Sequence, residues 1–344
     1  MKNDIINFGI IGCGTISEWH AAAIEKIDGA QLIGVTDVYE PSRVSFAEKH
    51  KVKAYASVEA LLADPSIHVV CICTPSGLHA PMAVAAANAG KNIIVEKPMA
   101  ITAQEISDVL SACEKNKVKM AVISQLRFSD AVCNLKKAVD GGALGKLMLG
   151  DLSMKYYRSQ DYYDKGGWRG TWNMDGGGAL MNQGIHGIDL LRYIMGPVKS
   201  VSAIARTLTR KIECEDTAVA IIEFQNGALG HITGTTSVYP GSPRTLEICG
   251  DCGTIKLMED SIASWNVEGQ DTLPDGVVLG NQSADASSNP TNFSIDGHIK
   301  QISDMVDAIH HNRAPMVDQN EGKLPVELIL AIYKSSETGR TIDL

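Results

Sequence analysis

The feature that most restricts how this chain can fold is a glycine-bearing turn near its start. The apolar run INFGII (6–11) leads directly into Gly12-Cys13-Gly14-Thr15-Ile16-Ser17. A strand that enters Gly-x-Gly and then a helix is the fingerprint of a dinucleotide-binding βαβ unit. Gly12 permits the tight turn and Gly14 lets the backbone approach a pyrophosphate. The helix N-terminus at Thr15 and Ile16 offers N–H groups and a partial positive charge to that anion. The third position holds Ser17 rather than Gly or Ala, still small enough for helix–strand packing. A second strand, QLIGVTD, ends at Asp37. Its carboxylate is placed to accept hydrogen bonds from the ribose hydroxyls of NAD and to repel a 2′-phosphate. Arg43 reads either as a solvated helix residue or as a partner for such a phosphate, so NAD is expected and NADP is the alternative.

The strand–helix rhythm continues to residue 124. HVVCICT is a near-continuous apolar strand, as burial on both faces of a parallel sheet requires. Pro41 and Pro81 sit in the first turns of helices, where a missing N–H does no harm. Thr102-Ala103-Gln104-Glu105 is a capping box. Residues 1–124 are therefore expected to form an α/β Rossmann domain, a doubly wound parallel sheet. Beyond it the rhythm changes. One helical stretch (130–140) precedes β-rich segments such as KLMLGDLSMKYYR, TAVAIIEFQ and GALGHITGTTSV, with Asn226-Gly227 as a hairpin signal. Residues 125–344 are expected to form an α+β substrate-binding and oligomerisation domain on a large, open, mainly antiparallel sheet with helices on one face. Residues 268–294 read as a surface loop and 297–311 and 323–338 as helices, the last ones candidates to pack back onto the first domain.

Composition excludes several functions. A net charge of −9 without any basic run argues against nucleic acid or anionic membrane as partner. The opening segment MKNDIINFGIIGCGT is too short in apolar residues to cross a bilayer and runs straight into the glycine motif, so no signal or spanning segment is expected. Eight cysteines, mostly inside apolar runs, read as free thiols in the reducing cytoplasm. Cys249-Gly250-Asp251-Cys252 lacks a second ligand pair for zinc and reads better as a hairpin turn.

Ligands of an open α/β sheet bind beyond the carboxyl ends of its strands. Two segments fall there: Thr74-Pro75-Ser76 with His79, and Glu96-Lys97-Pro98. A lysine on a strand end, held by a stiff proline, can serve in proton transfer where a nicotinamide would lie; an isolated lysine is more often solvated surface. In the second half, GGGALMNQGIHGID (176–189) places Asn182, His186 and Asp189 on one face of a helix. His186 can move a proton near neutral pH and Asn182 can orient a hydroxyl, although a lone histidine in an apolar helix is commonly structural. No second His or Cys stands at ligand spacing, which disfavours a metal. Tyr156, Tyr157, Tyr162, Tyr163, Trp168 and Trp172 crowd into the preceding stretch of a chain only 5% aromatic, and such faces suit stacking on a nicotinamide or a sugar.

Together these residues resemble the glucose–fructose oxidoreductase / inositol dehydrogenase / rhizopine-catabolism family. The likeness runs through GIIGCGTIS, CTPSGLHAPMAVAAANAGKNIIVEKPMA, GGGALMNQGIHGIDLLRY, EDTAVAIIEFQNGALG and SSETGRTIDL. The resemblance implies that Lys97 stands at nicotinamide and substrate, that His186 is the acid/base histidine and that the Lys97–Pro98 bond is cis. It implies that Trp168 and Arg169 approach the nicotinamide end, that Arg127 and Tyr156 line the substrate pocket with Asn182, and that Glu96 joins the cofactor site. It also implies a homodimer or homotetramer built on the large sheet. Inositol dehydrogenases carry Asp four residues before the catalytic His, whereas this chain has Asn182, a form similar to nucleotide-sugar 3-dehydrogenases. The implied activity is NAD(P)-dependent interconversion of a secondary alcohol and ketone on a sugar, nucleotide sugar or cyclitol. NAD-dependent glycosidases and a non-catalytic NAD or sugar sensor are the alternatives within the same likeness.

Overall fold

Six parallel strands carry the N-terminal half of the chain, in a computed structural model that describes residues 5–280 and 294–344. In chain order they are β1 (Ile6–Ile11), α1 (Thr15–Glu25), β2 (Ala30–Thr36), α2 (Glu40–His50), β3 (Lys53–Ala54), α3 (Val58–Leu62), β4 (Val69–Ile72), α4 (His79–Asn88), β5 (Asn92–Val95), α5 (Ala103–Asn116) and β6 (Met120–Val122). The spatial order β3-β2-β1-β4-β5-β6 reverses direction between β1 and β4, the switch point at which doubly wound sheets hold dinucleotides. β4 is buried along its whole length, which explains its unbroken apolar sequence. The capping box closes as expected: Thr102 accepts from the Glu105 N–H, and Glu105 accepts from the Thr102 N–H.

The second unit contains α6 (Asp130–Asp140), β7 (Leu147–Lys155), α7 (Gln160–Asp164), α8 (Ile185–Met195), β8 (Val198–Arg206), β9 (Thr217–Phe224), β10 (Leu229–Thr235), β11 (Thr245–Gly250), β12 (Gly253–Met258) and β13 (Ser261–Val267). Then α9 (Asp296–His310) returns to the first unit, packing Ile302, Met305 and Val306 into the core that α1 and α2 cover. α10 (Gln319–Thr338) and β14 (Ile342–Asp343) close the chain. The compact units are 1–125 with 295–323 and 126–294 with 324–344.

The eight strands of the second unit run in the order β13-β12-β11-β7-β10-β9-β8-β14. The sheet is mixed and mainly antiparallel. Asn226-Gly227 forms the β9–β10 hairpin with Gly227 at φ +85°, and Cys249 to Cys252 lie around the β11–β12 hairpin. Tight turns alone would make every pair antiparallel, but β7 and β10 pair in parallel, because the chain leaves β7 for the aromatic segment and α8 before it returns. Residues 281–293 of the expected surface loop lie outside the described residues. Among the described residues no helix is long and apolar enough to cross a membrane.

One buried ion pair fastens α8. Arg127, 1% exposed, donates from Nε to Asp189 Oδ2 at 2.8 Å and from Nη2 to Oδ1 at 2.5 Å, and its guanidinium lies over the Tyr193 ring. Removing one partner strands a charge in the core. Asp189→Ala should therefore lower unfolding stability by about 3–5 kcal/mol, read from the urea midpoint, whereas Arg127→Met/Asp189→Leu should recover most of the loss.

Candidate active site

At the carboxyl edge of the parallel sheet, Gly12 has φ +96°, and a Cβ there would stand 2.7 Å from the Cys73 carbonyl oxygen of the neighbouring strand end. Only glycine meets both demands. At Gly14, by contrast, a Cβ would meet nothing within 4 Å. Gly14 and Thr15 are exposed, and Gly14 is the N-cap of α1, where no side-chain hydrogen bond caps the helix. This is an open helix N-terminus of the kind that receives phosphate. Asp37 is locked against the loop: Oδ2 accepts the Cys13 N–H and Oδ1 the Tyr39 N–H, both at 2.7 Å. Burial and the Asp37 charge push the Cys13 thiol up to about 12, so it stays protonated. Arg43 Nη1 donates to the backbone carbonyls of Asp37 at 3.1 Å and Ala56 at 3.3 Å, which leaves this side chain bound to its own fold. Val38 is fully exposed and Tyr39 largely so, an apolar surface beside Asp37 that the sequence pattern does not mark. The hydroxyl of Thr74 is buried without a partner among the described residues. An open glycine loop, an uncapped helix start, a fixed acceptor and an unused hydroxyl suit a dinucleotide.

The Lys97 turn is held from two sides. His79 is buried, with Nδ1 2.6 Å from the Pro98 carbonyl oxygen and Nε2 2.8 Å from that of Thr74. Burial lowers its pKa, against the pull of those two carbonyls. It is thus a brace between the β4 and β5 ends rather than a group open to a cofactor. Glu96 is also buried: Oε1 lies 3.0 Å from His20 Nε2 and 3.9 Å from His298 Nε2, and Oε2 accepts the Lys97 N–H at 3.2 Å. Burial alone would raise its pKa, but His20 and His298 hold it well below the ordinary carboxylate range. Their ligand-type atoms lie within 4.8 Å of one another, a cluster invisible to local spacing because His20 and Glu96 stand 76 residues apart. Lys97 itself is half-buried, and the Lys97–Pro98 peptide is cis.

In the second unit the glycine run has a packing reason. A Cβ on Gly178 would lie 1.8 Å from the Glu215 carbonyl oxygen. The Glu215 carboxylate accepts from the N–H groups of Gly178 (2.9 Å) and Leu180 (2.8 Å) and from the Tyr333 hydroxyl (3.0 Å). The segment it anchors is not the uninterrupted α-helix expected: Ala179–Gly184 form a π-helix before α8 begins. A π-turn shifts the register of one face, and the three expected neighbours take different partners. Asp189 pairs with Arg127, Asn182 Nδ2 donates to Asp175 Oδ1 at 2.6 Å, and His186 remains half-buried. Tyr156 is buried, and burial pushes its hydroxyl up to about 12. Arg169 lies over the Tyr162 and Trp168 rings at 4.6 and 5.3 Å, and Trp168 is half-buried.

Residues 6–124 match the oxidoreductase family with an NAD-binding Rossmann fold, and residues 132–256 match the GFO/IDH/MocA C-terminal domain. The chain is 32% identical to the WlbA dehydrogenase of Bordetella pertussis, solved with NADH and UDP-GlcNAcA, covering 100% of this chain and 99% of that one at a TM-score of 0.90. The chain belongs to the Gfo/Idh/MocA oxidoreductase family. Two further members are the myo-inositol 2-dehydrogenase of Thermotoga maritima, 27% identical over 98% of each chain, and the levoglucosan dehydrogenase of Pseudarthrobacter phenanthrenivorans, 28% identical over 73% of each. The first unit of this Gfo/Idh/MocA protein is accordingly an NAD-binding domain.

Glu215 gives the second unit a pH signature. Burial raises its pKa from 4.5 to about 7, against the hydrogen bonds it accepts. The native state therefore holds this proton more tightly than the unfolded chain, and the stabilisation is complete below pH 4.5 and lost as pH rises through 7. Urea unfolding between pH 5 and 8 should show a decline of about 3 kcal/mol from this group, absent in Glu215→Gln.

Proposed function

We propose that this protein is an NAD-dependent dehydrogenase that interconverts a secondary alcohol and a ketone on a sugar, nucleotide sugar or cyclitol. Lys97 and His186 are its acid/base groups. The observation that carries this reading is the mounting of Lys97: it leaves the end of β5 between a buried glutamate held by His20 and a proline carbonyl held by His79. A lysine on so fixed a turn, at the carboxyl edge of an NAD-binding sheet, suits removal of a hydroxyl proton. When bound, NAD supplies the hydride acceptor. Gly12, Gly14, Thr15 and Ile16 would face its pyrophosphate, Asp37 its ribose, the Val38–Tyr39 surface its adenine, and Thr74, Pro75, Trp168 and Arg169 the nicotinamide end. His186, half-buried on α8, is the second group able to move a proton near neutrality.

Within this substrate class a nucleotide sugar is favoured. A relative 32% identical over the whole of this chain, solved with NADH, carries UDP-GlcNAcA. The second unit also gathers guanidinium groups on its aromatic stretch, Arg158 over Tyr156 and Tyr162, Arg169 over Tyr162 and Arg210 over Tyr157. In a chain of net charge −9, such a group suits an anionic diphosphate or carboxylate. Eight free thiols suit a reducing compartment, and the cytoplasm is the proposed location.

Lys97→Ala should cut NADH formation at least about 100-fold while NAD binding, followed by quenching of tryptophan fluorescence, is nearly unchanged. Turnover at the wild-type rate would remove Lys97 from the chemistry.

The open face of the large sheet supports self-association into a homodimer or homotetramer. Ile204, Val219, Ile221, Leu229 and Leu149 are all exposed on neighbouring strands β8, β9, β10 and β7. Contiguous apolar surface of this kind is usually covered by a partner. Ile221→Lys/Ile204→Lys should lower the mass measured by light scattering; an unchanged mass would exclude this face.

A further inference from the structure

Resting on the proposed dehydrogenase reading, the geometry points to Asp175 as a positioning residue that, through Asn182, supplies the carboxylate missing from the position four residues before His186. Asp175 is 1% exposed. Its Oδ2 accepts the Gly170 N–H at 2.8 Å and its Oδ1 accepts Asn182 Nδ2 at 2.6 Å. The chain of contacts then continues in one sense. Asn182 Oδ1 accepts Gln183 Nε2 at 2.7 Å, and Gln183 Oε1 accepts Arg158 Nη2 at 2.9 Å.

The two ends fix the direction of everything between them. A carboxylate can only accept and a guanidinium can only donate, so both amides have a single orientation that satisfies the chain. With an amide at either end in place of the charge, Asn182 could flip and exchange its donor for its acceptor. The lock therefore decides which atoms Asn182, half-buried one turn before His186, turns toward a substrate hydroxyl. It also accounts for asparagine at this position. An aspartate here would set two carboxylates at hydrogen-bond distance, and like charges so close cannot both ionise. The carboxylate has in effect moved from position 182 to the loop, with the asparagine as its extension.

Asp175→Asn and the double variant Asp175→Asn/Asn182→Asp test this, with the wild type assayed on NAD and a UDP-sugar, and with NAD binding and thermal unfolding measured in parallel. The double variant exchanges the two chemistries, so the new amide at 175 donates to the new carboxylate at 182 and every other bond of the chain keeps its direction. Asp175→Asn should lower kcat about 10- to 100-fold with little change in KM or NAD affinity, and the double variant should regain most of that loss. A single variant with wild-type kcat would overturn the assignment. So would a double variant that melts like the wild type yet stays about 10- to 100-fold slower than the wild type, a comparison that still decides if Asp175→Asn fails to fold. A wild type inactive on every sugar and cyclitol would defeat only the proposed function. The lock would then be read from the side-chain amide NMR signals of Asn182, identified by their loss in Asn182→Ser. Two signals displaced from those of a free asparagine and slow to exchange with solvent are expected, both moving toward the free positions and exchanging faster in Asp175→Asn; wild-type signals at the free positions with fast solvent exchange would overturn the lock.

Discussion

A buried glutamate anchors the candidate-site segment in each half of this protein, and the two are held in opposite ways. Glu96 meets imidazoles on one oxygen and the Lys97 N–H on the other, so it is held as an anion below the Lys97 turn. Glu215 has backbone N–H groups and the Tyr333 hydroxyl but, among the described residues, no cation, so burial wins and its pKa rises to about 7. Burying a carboxylate is costly unless its oxygens are satisfied. That constraint explains the sequence around each glutamate: a histidine on α1 and another on α9 for Glu96, and a glycine at 178 that lets the backbone come close enough for Glu215.

The same logic relates this chain to its family. Lys97, Pro98 and His186 keep the family pattern, but the residue expected to support His186 is an amide. The structure puts a carboxylate at that amide from a loop seven residues earlier, and a π-turn between them changes which side chains meet. Arg127 and Asp189, both read from sequence as residues near the site, instead satisfy each other inside the core. Polar residues at nearby sequence positions thus take different partners, Arg127 and Asp189 each other in the core and Asn182 the Asp175 carboxylate.

Much of the fold was legible because its signals are local. Gly12-Cys13-Gly14 with Asp37, the Thr102 capping box, the Asn226-Gly227 hairpin and the alternation of strand and helix each depend on a few neighbouring residues. The parallel pairing of β7 with β10 and the His20–Glu96–His298 cluster were not legible. Each joins residues from distant parts of the chain, and no period or motif records which distant segment will arrive.

The sequence by itself determined an NAD-binding parallel sheet, the lysine at its edge and the family, since turn geometry and hydrophobic period act over a handful of residues. Tertiary structure alone decided the state of the site. Whether a carboxylate ionises, whether a histidine braces or titrates, and which way an amide points are set by burial and by partners that only the folded chain brings within hydrogen-bond distance.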